Sequence, residues 1–161
     1  MVARLPSLEL KCEFQNQLYH LGHTIYFDCR ITTSREVLIT EGRIDLICEE
    51  TWREFFTITV PISGGAPRLR GEAYMRSPTR IKRVTEKQKE VFTHSSNKFL
   101  EMTELSGPTV HEFSSSLTVG TFEPLHATWG DVRWKLIVTI VTSNDGQFRA
   151  GKDVLVNLDQ K

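Results

Sequence analysis

The chain has 161 residues, 39% of them hydrophobic, a length that fits one domain with its own core. Lys+Arg and Asp+Glu each number 20, and a net charge of zero argues against a globally basic nucleic-acid binder and against an acidic tail. No apolar run approaches the roughly 18 residues needed to cross a membrane, and Met1 to Glu9 holds no apolar stretch long enough for a secretory signal.

Alternation with period two dominates the chain. Leu8, Leu10, Cys12 and Phe14 face one way, and Glu9, Lys11 and Glu13 the other, which predicts a half-buried strand over 8–15. Residues 16–23, with Gly22, predict a turn. Residues 24–33 alternate again, with Ile25, Phe27, Cys29 and Ile31 inward and Tyr26, Asp28 and Arg30 outward. A third strand region covers 37–50, with Glu41-Gly42 as the place for a bulge or bend. Past it Ile44, Leu46 and Cys48 share the inner face.

A further strand is predicted over 53–60. Ser63-Gly64-Gly65-Ala66-Pro67 then breaks the pattern, and 66–90 carries almost no periodic apolar signal. Between 53 and 90 nine Lys/Arg stand against four Glu, the one charge asymmetry of the chain. The stretch at about 63–90 reads as a long, mobile basic insertion, with the next strand beginning at Val91.

The β pattern returns over 98–104. Ser106-Gly107-Pro108 marks a turn, and 109–119 alternate through Val110, Glu112 and Ser114 against His111, Phe113, Ser115 and Leu117. Over 132–142, Val132, Trp134, Leu136, Val138 and Ile140 share a face, while Ile137 and Val141 predict partial cover on the other. Asn144-Asp145-Gly146 is a hairpin signal, and 148–158 form the last strand. Eight or nine short strands without helix signals predict an all-β, antiparallel, immunoglobulin-like sandwich in a single domain, 1–161.

The three cysteines, Cys12, Cys29 and Cys48, fall on inward positions and lack Cys-x-x-Cys spacing, so they read as small buried hydrophobes. Reduced thiols of this kind fit a cytoplasmic protein. His20-x-x-His23 lies in a turn and reads as solvated. Ser114-Ser115-Ser116 lacks a Gly-x-Ser-x-Gly elbow, and Ser63-Gly64-Gly65 lacks the Gly-Lys-Ser/Thr of a phosphate loop. Of the three tryptophans weighed as binding aromatics, Trp52, Trp129 and Trp134, the last is assigned to the core by its phase, and Trp129 falls in a loop beside Gly130. No catalytic residue, metal ligand or cofactor is expected. The residues put forward for binding are the basic ones, Arg68, Arg70, Arg76, Arg80, Lys82 and Arg83, as contacts for phosphate on a protein, a lipid headgroup or a nucleic acid.

Several segments together resemble a known family. Tyr19-His20-Leu21-Gly22 resembles the arrestin-like opening in which a glycine turn precedes an extended strand, and Val37 to Trp52 resembles the arrestin segment in which a strand ends in a short polar loop. His111-Glu112-Phe113 resembles that superfamily's His-x-Phe-x-Phe step. Glu123-Pro124-Leu125 to Trp129-Gly130, followed by Val132-Arg133-Trp134-Lys135-Leu136, resembles its proline, loop, glycine and Val-x-Tyr/Trp-x-Leu passage. The likeness covers most of 8–158, in a divergent, microbial form. It departs where Pro124-Leu125-His126-Ala127 replaces Pro-Pro-Ser-Phe, where a lone Lys11 replaces adjacent phosphate-sensing lysines, and in lacking Pro-Pro-x-Tyr; one sandwich domain is expected within these 161 residues, where the family usually has two. The resemblance implies a non-enzymatic scaffold, like the related sporulation-control and retromer-type proteins, that binds protein partners through loops and sheet edges. The alternative is an adaptor to an anionic membrane surface or nucleic acid through 68–83. Unpaired sheet edges also allow self-association.

Overall fold

The computed structural model describes residues 2–5, 7–61, 79–127 and 130–158. Every regular element among them is a strand: β1 Val2–Leu5, β2 Leu8–Phe14, β3 Leu18–His20, β4 Thr24–Thr33, β5 Val37–Pro61, β6 Thr79–Leu105, β7 Thr109–Thr118, β8 Asp131–Thr142 and β9 Gly146–Asn157. They form two sheets, ordered β1-β2-β4-β7 and β3-β9-β8-β5-β6. All pairings are antiparallel except that of β3 with β9, which is parallel. This is the all-β sandwich that the alternation predicts. No helix among the described residues is long and apolar enough to cross a membrane.

The core is built from the phased residues. Leu10, Ile25, Phe27 and Ile31 of the first sheet face Ile44, Leu46, Leu136, Val138 and Ile140 of the second, and all are buried. Register reinforces the phase, because Ile44, Leu46 and Cys48 stand opposite Val138, Leu136 and Trp134. Burying each such side chain contributes about 1.5–3 kcal/mol. A register slip by one residue would turn the whole row to solvent. Trp134 is buried, as its phase predicts, and Ile137 and Val141 are half-buried on the outer face.

The bulge expected at Glu41-Gly42 is present: the β5–β6 register shifts between Gly42 and Arg43, and again between Leu46 and Ile47. Gly146 closes the β8–β9 hairpin with φ at +82°, a left-handed value that glycine adopts without a steric penalty.

Three expectations are corrected. Residues 37–50 and 53–60 are not two strands but one, the 25-residue β5. The next strand begins at Thr79, not Val91, so residues 79–90 are the first half of the 27-residue β6 rather than a mobile loop. The cysteines are not all free. Cys12 and Cys29 form a disulfide, and Cys48 alone remains a buried thiol, its pKa pushed up to about 12 chiefly by burial. Both paired cysteines do point inward. They are also direct register partners on adjacent strands, with Cα atoms 4.2 Å apart, which brings their side chains together.

Candidate functional site

β8 pairs with β5 only as far as Thr51, its partner being Asp131. Past that rung β5 pairs with β6 alone, from Trp52↔Gln88 to Pro61↔Thr79. The result is a two-stranded arm that continues the second sheet beyond the sandwich. None of its residues past Trp52 belongs to the core cluster.

Residues directly opposite in an antiparallel pair share a face, so register sorts the arm's side chains. One face carries Trp52, Glu54, Phe56, Ile58 and Val60 opposite Gln88, Glu86, Val84, Lys82 and Arg80. It is an apolar row with carboxylates and cations mixed in. The other face carries Arg53, Phe55, Thr57 and Thr59 opposite Lys87, Thr85, Arg83 and Ile81, with Lys89 one rung below, opposite Thr51. Within the two-stranded part that face has cations and no carboxylate; at the Lys89 rung, Asp131 of β8 stands opposite Thr51. Phe55 and Ile81 are each 75% exposed on it.

The sequence-stretch assigned to binding is therefore divided. Arg80 and Lys82 lie on the apolar face and Arg83 on the cationic one, because neighbours in a strand point to opposite sides. Arg68, Arg70 and Arg76 lie outside the described residues, as does Trp129. Arg53, Lys87 and Lys89 were not among the candidates, although an in-phase continuation of 53–60 would have exposed Arg53 on the face opposite Phe56.

At the root of the arm sits an acid on the core face. Glu50 is 1% exposed, in phase with Ile44, Leu46 and Cys48. Its Oε1 accepts from the backbone N–H of His126 (3.2 Å) and its Oε2 from the ring Nδ1 (2.9 Å). The His126 ring stacks on Trp52, centroids 3.6 Å apart and planes within 10°. His126 in turn accepts through its carbonyl from Gly130 N–H (2.7 Å), which closes the loop between β7 and β8. Trp52 is thus engaged by this loop. Glu50, Glu90 and His126 have donor atoms within 4.8 Å of one another and are the residues that could hold a metal among those described; both carboxylate oxygens of Glu50 are engaged by His126.

A second buried histidine lies nearby. His94 on β6 is 5% exposed and packs between Phe122 (4.0 Å) and the edge of Trp134 (4.7 Å between centroids). Its Nε2–H donates to the Gly120 carbonyl (3.2 Å), while Nδ1 is buried without a partner. Burial holds its pKa below the ordinary histidine value, with the Gly120 bond opposing. Gly120 leaves room for this ring: a Cβ there would sit 2.8 Å from Nε2.

The hydroxyl and imidazole candidates do not form a nucleophile and base. Ser114 is on the outer face of its sheet, where its hydroxyl donates to Asp28 (2.6 Å). His111 lies on the opposite face of the same strand and contacts the Ser106 carbonyl (3.0 Å). His20, the last residue of β3, and His23, just past the turn that follows, touch edge to face with centroids 4.9 Å apart.

No protein-family model matches the chain, and no curated protein matches it in sequence. Solved structures do resemble it. The crystal structure of Spo0M, a sporulation control protein from Bacillus subtilis, aligns with 96% of this chain at a TM-score of 0.54 and 10% identity. The chain spans about half of that protein's length, 51%. A likeness at this identity concerns the fold, which is an arrestin-like β-sandwich.

Proposed function

We propose that this domain is a non-enzymatic interaction module of arrestin-like type, binding a protein partner through its arm and sheet edges. The observation that carries the reading is the β5–β6 arm. A strand pair that leaves the sandwich and presents Phe56, Ile58, Val60 and Val84 on one face contributes nothing to the core and much to an accessible surface. β6 also ends the second sheet, so its outer backbone edge can accept an added strand. The same edge is the route by which two copies would self-associate. The fold likeness to a sporulation control protein supports regulation by contact rather than by turnover. The separation of Ser114 from His111 supports it too.

For the compartment, the arrestin-like resemblance favours the cytoplasm. The Cys12–Cys29 disulfide removes the thiol argument for it, since such bonds persist where the surroundings are oxidising. Thiol counting on protein taken from its own cell separates the two.

The experiment is affinity capture from the source cell with the wild-type domain and a Phe56→Ser/Ile58→Ser double variant. The reading expects a protein retained by the first and lost by the second, the variant's fold being intact by circular dichroism. Identical retained sets, or a purified turnover activity without any partner, would overturn it.

A further inference from the structure

We infer that the cationic face of the β5–β6 arm is a docking surface for an anionic lipid bilayer. This goes beyond the protein-binding reading and uses the other face of the arm. The argument starts from segregation by sign. Within the two-stranded part, the outward rungs run Arg53 with Lys87, then Phe55, then Arg83, then Ile81, with Lys89 on the last three-stranded rung below them. Cations and large apolar side chains alternate along one face, and the carboxylates Glu54 and Glu86 are all on the other. Random placement of solvated charges on an exposed hairpin would mix the signs to weaken repulsion. Here like charges stand side by side, which costs energy unless an anionic surface answers them.

The cations are also largely uncommitted. Lys89 pairs with Glu49 at 2.8 Å. Among the described residues, Arg53, Arg83 and Lys87 make no ion pair. Phe55 and Ile81 sit four residues apart along the ribbon, about 13 Å at strand spacing. Arg83 lies between them. That arrangement matches a bilayer interface, which takes apolar side chains below the headgroups and basic ones at the phosphates. It suits a nucleic acid less well, because the face has a single aromatic, Phe55, and no platform on which successive bases stack. An acidic protein surface would meet the charges but not the two protruding apolar groups that separate them.

Co-sedimentation with vesicles tests this, using phosphatidylcholine alone and phosphatidylcholine mixed with phosphatidylserine. The wild-type chain is expected on the mixed vesicles and not on the neutral ones, with binding that falls as salt rises. Each basic residue near an anionic surface is worth about fivefold in binding, so Arg53→Ser/Arg83→Ser/Lys87→Ser should weaken it about a hundredfold. Phe55→Ser/Ile81→Ser should weaken it while leaving the salt dependence in place. Arg80→Ser/Lys82→Ser, on the opposite face, should cost far less than the triple variant. Equal losses for the two charge variants, equal binding to neutral vesicles, or retention on single-stranded or duplex oligonucleotides without retention on vesicles would each overturn the inference. No protein captured even by the wild-type chain, with vesicle binding intact, would instead count against the protein-binding reading alone.

Discussion

Glu50 and His126 are held together by two hydrogen bonds, although Glu50 is almost wholly buried and His126 belongs to a loop 76 residues further along the chain. The acid replaces the solvent that the His126 N–H groups would otherwise meet, and it anchors the β7–β8 connection to the root of the arm. Glu50→Ala removes both acceptors and leaves the backbone N–H and ring N–H of His126 facing a cavity. The expected cost is about 2–3 kcal/mol. Urea unfolding reads it as a lower midpoint at an unchanged slope, and Trp52 fluorescence should shift as the His126 stack loosens. An unchanged midpoint would show that the pair anchors nothing.

His94 makes stability depend on pH. In the unfolded chain its pKa is near 6.5, and in the fold burial lowers it. The unfolded state therefore takes up the proton first as pH falls. The contribution is complete above about 6.5 and is lost as pH drops from there through the folded-state value. Its aromatic neighbours, Phe92, Phe122 and Trp134, carry no charge that would offset the cost of a buried imidazolium. Urea midpoints measured from pH 7.5 to 5.5 should decline more steeply for the wild type than for His94→Phe. Parallel profiles for the two proteins would remove His94 as the cause.

The Cys12–Cys29 bond closes a chain segment with a sequence separation of 17. A loop of that size restricts the unfolded chain by about 3 kcal/mol in the entropic account. Cys12→Ala/Cys29→Ala should lower the unfolding free energy by about that amount, and a thiol reductant should lower the wild type alike. Cys48 should stay unreactive in the folded state, since burial holds its thiol protonated up to about pH 12. Three titratable thiols in the denatured, unreduced protein would contradict the bond.

The strands of the sandwich were legible because each has one apolar and one polar side. β4, from Thr24 to Thr33, coincides with its predicted span for that reason. The first half of β6 was not legible, because Thr79 to Glu90 is exposed on both sides and pairs only with β5, so no core imposes alternation on it. β3 is three residues long, too short to show a period. The disulfide followed from register, which period-two phase does not give: phase places Cys12 and Cys29 inward, but only pairing places them opposite. Glu50 did leave a signal, a lone acid two residues past Cys48 on an inward row. The basic stretch was visible as composition, yet its division into two faces needed the partner of each residue.

If the arm serves binding and not folding, it can be removed. Trp52 and Gln88 are register partners at its base, so replacing Arg53 through Lys87 with Asn-Gly would join them by a two-residue hairpin turn. The deletion takes no member of the core cluster and leaves the Trp52–His126 stack and the Glu50 bonds in place. The unfolding free energy should change by no more than about 1 kcal/mol. The denaturant slope should fall a little, since less surface is exposed on unfolding. Far-ultraviolet circular dichroism should keep its β signature, while vesicle binding and partner capture should both disappear. A shortened chain that fails to fold would place the arm among the elements that hold the sandwich together, and the case for it as a separate binding surface would fall with it.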